Sequence, residues 1–350
     1  MEFNPAKSNV MLIDINSCFA TIEQQANPLI RDRPVVVAAF TTPNGCILAS
    51  SVTAKKLGIK TGMRVSDGRN IYSKLIVLPP DPNKYRDVHK KLHNLLCEYS
   101  VQVEPKSIDE FVFILDNKVT PCDVAKEIKE RIRKEIGDYI TVSVGIAPNR
   151  YLAKVAAGLI KPDGLVEINK NNYLNVYSKL KLTDLTGIKK GVSTRLNMIG
   201  VYSVMDLYNH KKPFLGCYWS LRLRGYEVDD IKFERKSFGN EVSLKLSKDT
   251  NVTAIISRLF EKASLRARKH GFKAKKKEFY VSDHKISVRL FDLVEKSNLQ
   301  LDLFDKNIKK ENLEQAVYKI NEKWGNFVVG SARGFGVKDI VKDRISFGQL

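Results

Sequence analysis

Asp14, Asp109 and Glu110 stand where short apolar runs end or begin. Asp14 lies near the close of Val10 to Ile15, and Asp109-Glu110 falls between Ser107-Ile108 and the run Phe111 to Leu115. An isolated acid at a strand end is by default a solvated turn residue, so an Asp-Glu pair alone carries little information. Three carboxylates brought to one sheet edge are another matter. Their hard oxygens suit magnesium, and two such ions activate a hydroxyl nucleophile and neutralise a leaving pyrophosphate, which is what transfer of a nucleotidyl group requires.

Other residue types with chemical potential are weaker signals when taken singly. Phe19 follows the first acid closely, but a lone Phe is usually core. Lys161 sits in the turn sequence Lys161-Pro162-Asp163-Gly164. His89, His93 and Cys97 have the i, i+4, i+8 spacing of one helix face, yet Val88, Leu92, Leu96 and Tyr99 run beside them, which argues for a packed helix rather than a zinc site.

The net charge of +20 over 350 residues points to a polyanionic partner such as nucleic acid, with an anionic membrane surface as the competing reading. With 43% hydrophobic and 28% charged residues the chain is a folded protein, long enough for several domains. No apolar run has membrane-spanning length, and the polar opening Met1 to Asn9 lacks a signal-peptide core, so no membrane association and a cytoplasmic location are expected. Five cysteines, odd in number and without a CxxC pair, indicate neither a disulfide framework nor a cysteine-rich zinc site.

The elements that must position the acids follow from periodicity and punctuation. Val10 to Ile15 is a strand, followed by a helix over Ser17 to Ala26. Pro34 to Ala39 and Cys46 to Ala49 are short buried strands, and the helix Ser51 to Leu57 is closed by Gly58. A helix over Asn83 to Tyr99 precedes a hairpin-like segment, Val101 to Leu115, that carries the second acid pair. Cys122 to Ile136 reads as an amphipathic helix, Thr141 to Ala147 as a strand, Arg150 to Leu159 as a helix and Leu165 to Ile168 as an edge strand. Asn171 to Glu227 is helical in pattern, and the charged stretch from Asp229 to Phe238 marks a domain boundary. Beyond it come a strand, a helix over Val252 to His270, two strands about a Ser282-Asp283 turn, a helix over Asn312 to Trp324 and a last strand near Val337.

Four motifs in order make a specific resemblance: Asp14-Ile15-Asn16-Ser17-Cys18-Phe19-Ala20, Ser107-Ile108-Asp109-Glu110, Ser143-Val144-Gly145-Ile146-Ala147-Pro148-Asn149 and Lys161-Pro162-Asp163-Gly164. In this the chain resembles the Y-family translesion DNA polymerases over nearly its whole length. The resemblance implies an α+β multidomain right hand: a palm over 1–22 and 77–170 with a mixed sheet plus helices, small fingers over 23–76, a helical thumb over 171–230, a linker over 231–239 and an α+β little finger over 240–350. It implies template-directed, distributive transfer from a dNTP to a primer 3′-hydroxyl by a monomer bound to primer-template DNA, with two Mg2+ ions. Asp14, Asp109 and Glu110 would be the catalytic carboxylates, with the Ile15 carbonyl as a further metal ligand.

By the same likeness Phe19 is the steric gate that excludes a ribose 2′-hydroxyl, and Lys161 meets the triphosphate. Cys46 and Leu48 would roof the new base pair. Lys55 stands where arginine is usual, and Ala49 and Val52 stand where many members carry a hydroxyl and a tyrosine, which predicts weakened dNTP binding, since hydrogen bonds to a charged ligand are each worth roughly 1.5 to 3 kcal/mol. The stretches Gly45 to Ala49 and Ala54 to Lys60, with Asn16 in place of a second aspartate, look closer to the UmuC-like than to the DinB-like branch.

Thr186-Gly187-Ile188-Lys189-Lys190-Gly191 precedes a helix over about Ser193 to Ile199 and resembles a helix-hairpin-helix, whose amides would grip a phosphate backbone, with Gly187, Lys189 and Gly191 as the contacts. Lys236 and Ser237 resemble the little-finger entry. Lys273, Lys275 and Lys276, in a basic cluster, and Arg333 would be further DNA contacts. Gln300-Leu301-Asp302-Leu303-Phe304 resembles the peptide that docks on the sliding clamp, with Gln300, Leu303 and Phe304 as its anchors. The rival readings are a catalytically inactive DNA-binding scaffold and a palm-fold nucleotidyl cyclase.

Overall fold

A computed structural model of the chain describes residues 2–116, 118–210, 217–229, 236–244, 246–247, 250–295, 308–324, 328–330, 332 and 336–337. It divides into two compact units, residues 1–229 with 344–350, and residues 230–343.

In the first unit, strand β1 (Val10–Ile15) leads into helix α1 (Cys18–Ala26), which starts one residue later than periodicity suggests because Ser17 takes the left-handed conformation with φ 52°. Strands β2 (Val35–Ala38) and β3 (Ile47–Ser50) are followed by helices α2 (Val52–Lys56) and α3 (Val65–Ile71) and by strand β4 (Ile76–Leu78). Helix α3 and strand β4 have no counterpart among the expected elements, being seven and three residues long. Strand β4 pairs in parallel with β2, giving a small sheet of order β3-β2-β4.

Helix α4 (Pro82–Cys97) begins with Pro82 behind an Asp81 cap, whose carboxylate accepts from Asn83 and Lys84 N–H. The expected hairpin is strands β5 (Val103–Pro105) and β6 (Glu110–Ile114). Helix α5 (Pro121–Arg131) passes into a π-helical turn, Ile132–Ile136, followed by strand β7 (Val142–Ala147), helix α6 (Arg150–Leu159) and strand β8 (Leu165–Glu167). The main sheet has the order β5-β6-β1-β7-β8, so β1 is central and β8 an edge as expected.

Both faces of β1 are buried, which explains its unbroken apolar run. Met11, Ile13 and Ile15 join one core with Phe111, Phe113, Val142, Val144 and Ile146. Val10 and Leu12 join the other with Val112, Ala153 and Ala156. Asp14 has the phase of Leu12, so strand alternation turns it to the face covered by α6. The close seat of that helix depends on Gly145, where an added Cβ would lie 2.0 Å from the Ala153 carbonyl oxygen and 2.3 Å from the Ala157 nitrogen. Helices α7 (Tyr173–Lys179), α8 (Lys190–Met198), α9 (Val204–Asn209) and α10 (Cys217–Leu223) complete the unit.

In the second unit, strand β9 (Ser237–Ser243) reaches back into the stretch read as linker, because its alternate residues Phe238 and Val242 are buried. Helix α11 (Val252–Lys269) covers a sheet of order β10-β11-β9, with β10 (Phe272–Ser282) and β11 (Lys285–Glu295) turning at Asp283-His284, and helix α12 (Ile308–Trp324) follows. Val337 is buried in the core of this unit, and the strand expected around it lies largely outside the described residues. Among the described residues no helix is long and apolar enough to cross a membrane.

Candidate active site

The register of the main sheet sets Asp14 directly opposite Glu110 on one side and Ser143 on the other. Directly opposed residues share a face, so the Asp14 and Glu110 side chains rise together toward α6. Asp109 lies just before β6, tied to β1 by the Ile15 N–H donating to its carbonyl at 2.9 Å. Asp14, Phe19, Leu48, Lys55, Asp109 and Lys161 line one cavity of about 440 Å³, to which Ala49 and Val52 also contribute. Cys46 is outside that lining, exposed and bridged to Arg64 just before β3.

Each carboxylate leans on its own donor. Asp14 Oδ2 accepts from Lys161 Nζ at 2.6 Å, Glu110 Oε2 accepts from Lys154 Nζ at 2.7 Å, and Asp109 accepts from the Ser107 hydroxyl. For this reason the acids do not form a closed cage: among the described residues, no three His, Cys, Asp or Glu side chains are grouped as metal ligands. The donor set nevertheless suits a hard divalent cation, since all three groups are carboxylates, Asp14 and Asp109 line one cavity, and Glu110, outside that lining, is paired with Asp14 across the sheet. Burial pushes the Asp14 carboxyl up to about 6, with Glu110 and Asp109 adding to the rise and Lys161 opposing it. A cation would relieve that cost.

Linkage gives this shift a sign. Because the folded carboxyl titrates above its ordinary value, the folded state binds the proton more tightly, and its ionisation lowers stability as pH rises from about 4 to about 6. In chelator, the stability gap between Asp14→Asn and the parent should move in the variant's favour by about 2 kcal/mol between pH 4 and pH 7. Denaturant titrations at the two pH values measure it, and added magnesium should narrow the gap by stabilising the parent alone.

The loop carrying Lys161 is held from several sides. Asn16, 3% exposed, donates to Ser143 Oγ at 2.9 Å and accepts from the Asp163 N–H at 2.8 Å. Lys129 donates to the Asp163 carbonyl at 2.6 Å, and Arg133 pairs with the Asp163 carboxylate. Lys161-Pro162 is a cis peptide. At Gly164 a Cβ would meet the Ile160 carbonyl oxygen at 2.0 Å. Lys55 donates to Ser17 Oγ at 2.8 Å, and burial, then Lys161, lowers its pKa.

Phe19 is buried on the first turn of α1, with its ring stacked on Tyr85 of α4 at 4.5 Å between centroids. His89 is likewise buried, its Nδ1 2.9 Å from the Ile108 carbonyl, while His93 is half-buried and Cys97 exposed. Lys154, Tyr85 and Asn16 were not singled out as site residues. For Lys154 a signal existed, since it interrupts the otherwise apolar run Tyr151 to Ala157.

Among the expected DNA contacts, Gly187 has φ 94°, and Ile188 beside it is buried. A helix over Ser193 to Ile199 is expected, but α8 begins at Lys190, so Gly191 belongs to its first turn rather than to the hairpin, and Lys189 stands at its N-cap position with no side-chain capping bond. Lys273, Lys275 and Lys276 are exposed on the edge strand β10, and Lys236 is exposed just before β9, where Ser237 pairs with Phe291. Gln300, Leu303, Phe304 and Arg333 lie outside the described residues.

Residues 13–158 match the model of the impB/mucB/samB family. The chain is 30% identical to DNA polymerase IV 1 of Bacillus subtilis over 93% of either chain. It is 32% identical to a DNA polymerase IV of Clostridium perfringens over 67% of this chain and 69% of that one. A Y-family DNA polymerase chimera of known structure superposes with a TM-score of 0.69 at 24% identity, covering 82% of this chain and 99% of the other, a likeness of fold. The names of these relatives do not echo the UmuC-like leaning of the fingers motifs. Similarity that runs through nearly the whole of two chains, and includes the segments carrying the acids, is inheritance of the entire architecture, and the chain belongs to the impB/mucB/samB family of Y-family DNA polymerases.

Proposed function

We propose that the protein copies a DNA template past damaged bases by transferring nucleotides from dNTPs to a primer 3′-hydroxyl, with Asp14, Asp109 and Glu110 as ligands of two magnesium ions and the Ile15 carbonyl as a further ligand. The observation that carries this reading is the convergence of Asp14 and Asp109 with Lys55, Lys161 and Phe19 on a single cavity. When bound, the ions would supply Lewis-acid activation and charge neutralisation.

The chain's own residues divide the remaining work. Lys161 and Lys55 are the cations placed to meet the triphosphate, and both would exchange present partners, Asp14 and Ser17, for phosphate oxygens. Phe19 and Leu48 both line the cavity, and in this reading the Phe19 ring would clash with a 2′-hydroxyl and Leu48 would cover the nascent pair. Gly187, Lys189 and Gly191 would hold the duplex backbone, as would Lys236, Ser237, Lys273, Lys275, Lys276 and Arg333. Docking of Gln300, Leu303 and Phe304 on a sliding clamp, a monomeric state and a cytoplasmic location belong to the same proposal.

Primer extension on an undamaged template with magnesium tests it: short, distributive products with dNTPs and none with ribonucleotides are expected. A cyclic product from nucleotide alone would point to a cyclase, and DNA binding without extension to an inactive scaffold. For the basic strand, log affinity against log salt should be steep for the parent. Lys273→Ala with Lys275→Ala and Lys276→Ala should reduce that slope by about 3, near one unit for each phosphate no longer neutralised.

A further inference from the structure

A gate that works by repulsion excludes a 2′-hydroxyl only as well as its ring resists being pushed aside. Phe19 and Glu23 occupy i and i+4 of α1, so they lie one above the other on one helix face. Tyr85 of α4 spans both: its ring stacks on Phe19 with an interplanar angle of 10°, and its hydroxyl donates to Glu23 Oε1 at 2.8 Å. Lys84 closes the arrangement by donating to Glu23 Oε2 at 2.6 Å. Tyr85 is 0% exposed and Glu23 8%, so neither has room to yield. Tyr85 is not among the residues lining the cavity.

We infer that Tyr85, pinned through Glu23 and Lys84, is a positioning residue for sugar selection, the backing that keeps the Phe19 ring from retreating before a ribonucleotide. The inference rests on the reading of Phe19 as the gate. It concerns a residue that never touches the substrate. Removing the backing ring should let Phe19 tilt away from the sugar, which admits ribonucleotides while leaving the carboxylates and lysines of the cavity in place. Loss of the hydroxyl alone keeps the ring but frees it from Glu23, so a smaller effect of the same sign follows.

The measurement is kcat/KM for dNTP and for the matching ribonucleotide in single-nucleotide insertion by the full chain. Tyr85→Leu should narrow the dNTP-to-ribonucleotide ratio by about tenfold, the scale of one aromatic pair, and Tyr85→Phe by about threefold. Phe19→Ala is run beside them. If Phe19→Ala opens the site to ribonucleotides but neither Tyr85 variant moves the ratio, the backing role is wrong and the gate stands. If Phe19→Ala itself leaves the ratio unchanged, the gate reading fails, and the backing role with it. Equal losses for both sugars in the Tyr85 variants mean support of the fold alone and overturn the inference. Should Tyr85→Leu not fold, Tyr85→Phe decides, since it removes one oxygen and no packing volume.

Discussion

Asp109→Ala combined with Glu110→Ala is expected to lower primer extension by about 10³-fold or more while leaving salt-sensitive DNA binding intact. The reason is the placement of the acids. Asp109 lies on the cavity with Asp14, and Glu110 is paired across the sheet with Asp14. Removing both leaves one carboxylate to recruit cations whose contribution to the barrier is several kcal/mol, and each decade of rate corresponds to about 1.4 kcal/mol. The fold should survive, because the acids sit at the start of β6 and are held by Ser107 and Lys154 rather than by the core. Single-turnover extension and filter binding on the same preparation separate the two effects. A variant that still extends at a tenth of the parental rate would remove the carboxylates from the mechanism.

Gly145→Ala is expected to cost the first unit about 3 kcal/mol or more, because overpacking against backbone has no cheap relaxation. The new Cβ would lie 2.0 Å from the Ala153 carbonyl oxygen and 2.3 Å from the Ala157 nitrogen, so α6 would have to move off β7. That helix carries Lys154, the partner of Glu110, and activity should therefore fall with stability. Gly158→Ala on the same helix is the control. Nothing lies within 4 Å of its added Cβ, and replacing a helical glycine should raise stability by roughly 0.5 to 1 kcal/mol. Denaturant midpoints of the two variants should shift in opposite directions.

Much of this site was legible before any fold was known. The run Val10 to Ile15 marked the strand that carries Asp14, and Asp14, Phe19, Lys55, Asp109 and Lys161 were singled out and meet at one cavity. The short elements α3 and β4 escaped because seven- and three-residue stretches hold too little periodicity to rise above their surroundings. The start of α8 was placed late because Gly191 looks like a turn residue, whereas packing of Ile188 and Leu196 draws the helix back to Lys190.

Residue types and local spacing alone determined the longer strands and helices, the basic composition and the acids fit for magnesium, since each of these depends on neighbours within a few positions along the chain. Which groups face one another was decided only by tertiary structure. The pairing of Asp14 with Glu110 depends on strand register, the seat of α6 on the missing side chain at Gly145, and the hold on Lys161 on Asn16, Lys129 and Arg133 from three separate elements. The brace of Tyr85 behind Phe19 joins helices 66 positions apart, as the difference of 85 and 19 shows. Contacts over such separations form only when the whole core closes, and no local pattern of residues encodes them.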